Sequence, residues 1–229
     1  MIFLKDKGNS IVVEINKDYP ICDTDIWIKH SKHHRFYGKD LLFSKYKKIY
    51  MSDAVRQEIG RERFDDKKED FEIGHTKYKE SYSQNLIFML RLNDNNVFGE
   101  EKRLAIEREL LEYKIVYNNK TGKYESTLSD TGETVTVIMA SMLGIPIILC
   151  DESKKESIIN RYKSLEVRNL LDLLKIFHGN DIKHLESIRR RLSTPIKEKQ
   201  EMFKSMERDI NSRNRFLSKF KNKYVGAKV

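Results

Sequence analysis

Residues 128–152 read LSDTGETVTVIMASMLGIPIILCDE, and the fold class turns on this stretch. Asp130 or Thr131 is placed to cap a helix, and Val135, Ile138, Met139, Met142 and Leu143 recur at helical spacing, which predicts a buried helix. Gly144 ends that helix, and Ile145 to Leu149 form a short apolar run of the kind found in a central parallel strand. Cys150, Asp151 and Glu152 then leave the run where such strands open onto a ligand crevice. Glu133 lies in the first helical turn, where the helix dipole favours a carboxylate. Taken singly, these acids are a capping glutamate and a solvated loop; what decides between the readings is whether other strand ends carry matching acids.

Two other stretches do. Tyr19 to Ile28 is an apolar run in which Asp23 and Asp25 stand two positions apart at a strand end. Lys48 to Met51 predicts a second strand, and Ser52 caps a helix whose Val55 and Ile59 face inward with Glu58 beside them. Further on, Leu165 to Val167 predicts an edge strand, followed by an Asn169-capped helix over 170–177 that Gly179 and Asn180 close. Residues Ser10 to Ile15 alternate weakly as an edge strand. Between Gly60 and Thr127 the pattern is harder to place: an apolar helical patch over 86–92, a helix over 99–113, and a hairpin over 115–127. Short strands alternating with helices imply an α/β fold, a three-layer α/β/α sandwich on a mostly parallel sheet.

The chain has 229 residues, room for one α/β domain with elaborations or two small ones. With 34% charged residues, a mean hydropathy of −0.64 and no apolar run near the roughly 20 residues that span a bilayer, it reads as soluble, with no membrane partner. The apolar N-terminal patch is too short for a secretory signal, and the two cysteines, Cys22 and Cys150, read as buried reduced thiols, so a cytoplasmic setting is expected. Net charge is +9, and Leu185 to Val229 holds 13 Lys and Arg against 5 Asp and Glu, so the basic character belongs to the tail. That tail, carrying Arg189, Arg190, Arg191, Arg213, Arg215 and Lys219 on amphipathic helical spacing, suggests nucleic acid as partner; an acidic protein, or self-association, is the competing explanation.

In a parallel sheet of this kind Asp23 and either Asp151 or Glu152 stand at the carboxyl ends of two strands, and Glu58 and Glu133 project from helices that follow neighbouring strands. Four converging carboxylates repel one another unless a cation joins them, which calls for Mg²⁺ or Mn²⁺. Such ions activate water in phosphodiester cleavage. The order of these motifs resembles that of the PIN-domain nucleases, over roughly residues 20–177. The points of likeness are Asp23-Thr24-Asp25 after an apolar strand, the Ser52 to Glu58 helix, Gly132-Glu133 opening an alanine-containing helix, the strand ending in Cys150-Asp151-Glu152, and the closing strand and Leu-rich helix.

This resemblance implies a PIN-like domain over 1–180 with an insertion at about 60–127, and a basic helical extension over 181–229. It implies Asp23, Glu58 and Glu133 as metal-site acids and Asp151 or Glu152 as the fourth, with Asp25 as a water-bridged second ligand. The function expected is a metal-dependent endonuclease, RNA ahead of DNA, of toxin or defence type, with an acidic protein such as an antitoxin as a further partner. His33, His34 and Arg35, with the tail, are the expected phosphate contacts. Two alternatives stand beside it. Asp23-Thr24-Asp25 also resembles the nucleophile motif of haloacid-dehalogenase-like phosphatases, and the fold could serve as a non-catalytic binding module.

Overall fold

The computed structural model describes residues 4–7, 10–126, 131–151, 162, 164–196 and 210. Glu152, Asp130, Arg213, Arg215, Lys219, the helix expected over 154–162 and the helical spacing expected beyond 196 lie outside the described residues.

Five short strands form an all-parallel sheet: β3 (Ile21–Cys22), β4 (Ile49–Ser52), β5 (Ile87–Leu90), β8 (Ile147–Leu149) and β9 (Glu166–Arg168), in the order β5-β4-β3-β8-β9. The pleat sends successive side chains to opposite faces. Ile21, Tyr50, Leu90 and Ile148 enter one core, and Cys22, Ile49, Met51, Met89 and Leu149 enter the other. The first core is closed by α5 (Thr131–Leu143) and by α4 (Gly99–Glu112). The second is closed by α1 (Thr24–Tyr37), α6 (Leu170–His178) and α7 (Ile182–Ser193). Helices therefore cover both faces, as a parallel sheet requires. The expected helix over 131–143 and the strand after it are observed, and Asn169 caps α6 in a full capping box with Asp172.

Several elements differ from the sequence reading. The apolar patch at 86–92 is strand β5, which pairs with β4 and completes the sheet. A four-residue apolar run cannot be assigned by periodicity, and here Asn85, with φ of 57°, turns the chain sharply out of the preceding helix. That helix, α3 (Lys68–Ser83), packs on α1, where Gly74 admits the Ile28 side chain and its carbonyl accepts from the Trp27 indole at 2.9 Å. The region 60–127 is thus partly sheet; outside it stand α4 and the antiparallel hairpin β6 (Ile115–Asn118) and β7 (Lys123–Ser126). β2 (Ser10–Val13) pairs only with β1 (Leu4–Lys7), apart from the central sheet. The described start of the basic extension, α7, buries Leu185, Ile188 and Leu192 in the second core. Its far end is pinned by the buried Lys32 ammonium, which donates to Asp70 at 2.7 Å and to the Thr194 carbonyl at 2.8 Å, while Asp70 accepts from the Ile196 amide.

His30 is fully buried on α1, its ring packed against Trp27 and Phe43. Burial lowers its pKa from 6.5 to about 3, outweighing the nearby Asp40 carboxylate at 3.5 Å, while Lys77, His34 and His33 push the same way as burial. Below pH 6.5 the unfolded chain takes up a proton that the folded chain refuses, so stability falls as pH drops from 6.5 towards 3, by roughly 4 kcal/mol over the whole window. Urea midpoints of the wild type and His30→Leu at pH 7, 5 and 4 test this: the variant should lose most of the extra acid sensitivity, and parallel slopes refute the assignment.

Candidate metal and anion site

Strand β3 is only two residues long, and at its end Asp23 becomes the N-cap of α1. Its backbone amide donates to the Leu149 carbonyl of β8 at 3.0 Å, and its carbonyl accepts from the Trp27 amide, so the backbone is fixed at both ends. The Asp23 side chain makes no capping bond and is only 2% exposed. The crossing order of the sheet reverses between β3 and β8, which is the switch point where ligands bind in open α/β sheets.

Glu133, 5% exposed in the first turn of α5, comes to the same place. Its carboxylate accepts from the buried Cys150 thiol at 3.3 Å, and ligand atoms of Asp23, Glu133 and Cys150 all lie within 4.8 Å of one another. Glu58, at the end of α2 (Asp53–Ile59), accepts from the Thr24 hydroxyl at 2.5 Å and from the Gly132 amide at 2.6 Å. Gly132 is required there: a Cβ at this position would come within 2.4 Å of the Glu58 carboxylate. A cavity of about 390 Å³ is lined by Asp23, Asp25, Glu58 and Glu133 together with Lys29, Arg61, Arg63 and Lys67.

The carboxylates at strand and helix ends expected from sequence therefore share one cavity in four cases: Asp23, Asp25, Glu58 and Glu133. Asp151 goes elsewhere. It pairs with the Lys29 ammonium, accepts from the Leu170 amide at the start of α6 at 3.2 Å, and lies 3.8 Å from the Arg189 guanidinium. Lys29 also pairs with Asp25 at 2.6 Å. Burial alone would lower the Lys29 pKa, but Asp25 and Asp151 together raise it, so the ammonium is held charged beside the cavity. The thiol that the sequence reading took for a core residue, Cys150, is the group that stands with Asp23 and Glu133. A cysteine at a strand end, directly before an acid, is a signal for this only once the strand is placed.

The expected phosphate contacts divide. His33 is buried, stacked on Tyr37 with its Nε2 2.9 Å from that of His178 and its Nδ1 3.0 Å from the Lys39 carbonyl; burial lowers its pKa. His34 and Arg35 line a different cavity with Glu69 and Glu72. Arg191 donates to the Tyr37 hydroxyl, and Arg190 is exposed. Besides Lys29, the cations that line the acidic cavity, Arg61, Arg63 and Lys67, belong to a segment, R-E-R-F-D-D-K-K, whose nearly balanced charges hide them. In comparisons with known proteins, no family model, no curated protein and no solved structure matches the chain.

The donor set fits a divalent cation. Two buried carboxylates at this separation repel unless a cation or a proton intervenes, and the thiol adds a softer ligand that Mn²⁺ or Zn²⁺ accepts more readily than Mg²⁺ does. Substituting Gly132→Ala displaces the flexible end of Glu58 rather than backbone, so the variant should fold with a melting temperature near that of wild type. It should lose at least half of the stabilisation that millimolar Mn²⁺ gives the wild type, measured by thermal melts with and without the ion; an undiminished Mn²⁺ shift would remove Glu58 from the site.

Proposed function

We propose that the protein is a metal-dependent nuclease of the PIN-like kind, cleaving phosphodiester bonds in RNA. The observation that carries this reading is the meeting of Asp23, Glu133 and Cys150 ligand atoms within 4.8 Å, inside a cavity that Glu58 and Asp25 also line. Asp23, Glu133 and Cys150 would hold a Mg²⁺ or Mn²⁺ ion, with Mn²⁺ favoured by the thiol. Bound there, the ion would supply activated water and charge stabilisation for phosphodiester hydrolysis.

The chain's own residues contribute the rest. Glu58, fixed by the Gly132 amide and the Thr24 hydroxyl, sets a further carboxylate at the cavity wall. Lys29, held as an ammonium by Asp25 and Asp151, sets a cation where a phosphate oxyanion can be offset. Arg61, Arg63 and Lys67 supply sequence-independent attraction for the rest of a phosphate backbone. Burial of the carboxylates limits water and strengthens every charge interaction inside.

Cleavage of a mixed-sequence RNA by the purified chain in Mn²⁺, against a chelator control, tests the reading. Asp23→Asn and Glu133→Gln should each slow cleavage at least 100-fold while leaving the far-ultraviolet circular dichroism unchanged. Cleavage that survives either substitution, or that proceeds in chelator, rules the proposal out.

A further inference from the structure

The segment between α2 and α3 is built unlike the rest of the surface. Phe64 is 86% exposed, the most exposed of the large apolar side chains among the described residues. In sequence it stands between Arg61 and Arg63 on one side and Lys67 on the other; all three cations line the cavity that holds the carboxylates, while the Phe64 ring lies outside that lining. The acids of the same segment do not line it: Asp65 is spent locally, accepting from Arg63 at 3.1 Å and from the Lys67 amide at 3.2 Å. The Arg63 guanidinium lies over the Phe71 ring, 3.9 Å from its centroid. Arg61 and Lys67 are exposed and take no ion-pair partner among the described residues. A second cavity, of about 550 Å³, is also bordered by Arg61, Arg63 and Phe71, together with Glu62 and Glu72, so these two cations face both spaces.

We propose that this segment is a docking track for a single strand of nucleic acid, with a base stacked on Phe64 and backbone phosphates on Arg61, Arg63 and Lys67. The proposal rests on the nuclease reading for what happens at the carboxylates, but not for the binding itself. An exposed aromatic ring among cations is the pairing that single-strand binders use: every base offers a face to stack, and every linkage offers a charge. The depth of the adjoining cavity favours a single strand over a duplex. Asp23 and Glu133 are 2% and 5% exposed beneath a cavity of about 390 Å³, room for a nucleotide but not for two paired strands. The ring is free for this because its fold has no use for it: Phe64 belongs to neither core.

Binding is measured by fluorescence anisotropy in chelator, so that nothing is cleaved, with a labelled 12-nucleotide oligo-uridine, its DNA counterpart and a blunt RNA duplex of equal length. Wild type should bind the single strands at least tenfold more tightly than the duplex. Phe64→Ala should weaken single-strand binding about 5- to 100-fold with an unchanged melting temperature, and the double substitution Arg61→Gln, Arg63→Gln should flatten the salt dependence by about two phosphate contacts. Equal affinity for duplex, no binding to any probe, or unchanged binding by Phe64→Ala overturns the track, even if wild type cleaves RNA in Mn²⁺. Conversely, Phe64-dependent single-strand binding by a protein that cleaves nothing in Mn²⁺ would keep the track and remove the nuclease reading.

Discussion

The site depends on how one carboxylate is held. Glu58 receives the Gly132 amide on one oxygen and the Thr24 hydroxyl on the other, tying the end of α2 to the first turns of α5 and α1. These three points are far apart along the chain, and the sheet alone brings them near: α1 follows β3, α2 follows β4, and α5 precedes β8, all at the carboxyl edge. Two helix starts meeting at one carboxylate also concentrate the positive ends of two helix dipoles there, which favours the anion and any neighbouring acids. Glycine at 132 is the condition for this contact, because a side chain would occupy the space of the carboxylate itself.

Around that node the elaborations of the fold acquire a purpose. The β6–β7 hairpin does not join the central sheet; it docks on α2 through Gln57, which exchanges a donor and an acceptor with the Tyr124 backbone at 2.8 and 2.9 Å. The Tyr124 hydroxyl then donates to Asp53 at 2.7 Å, and Asp53 also accepts from the Leu92 amide beyond β5. Burial raises the Asp53 pKa to about 6 although both bonds favour its charged form, a cost borne by the fold at neutral pH. The consequence is a rigid wall: Tyr124 and Ser126 line the cavity, held against the helix that ends in Glu58.

How far the sequence could carry this follows from the range of each signal. Local signals are readable: helical spacing places α5, the Asn169 cap places α6, and an acid at a strand end and two in neighbouring helices point to Asp23, Glu58 and Glu133. Partner choice is not. Asp151 and Cys150 are adjacent at the end of β8, and which of them meets Glu133 depends on the pleat and on what else competes for the carboxylate. Lys29, one turn into α1, and the Leu170 amide capture Asp151; nothing in the sequence near Asp151 announces either. The same holds for His33, which reads as a basic, substrate-facing residue but lands on the buried face of α1 against His178. The four residues of β5 are too few to reveal a period, so only pairing with β4 marks them as a strand.

The Lys29 bridge also explains why the acids can be crowded without being equivalent. Asp25 and Asp151 each give up charge to one ammonium, with Arg189 3.8 Å from Asp151. Asp151 is nearly sealed from solvent, so its charge is balanced within the protein and adds little to the demand for a cation at the cavity. Asp23 and Glu133 instead share their space with the Cys150 thiol, a weak donor to the Glu133 carboxylate. Arg61, Arg63 and Lys67 of the α2–α3 segment line the same cavity as Asp23, Glu58 and Glu133, so the fold brings cations from one loop and acids from three helix starts and ends to a single space.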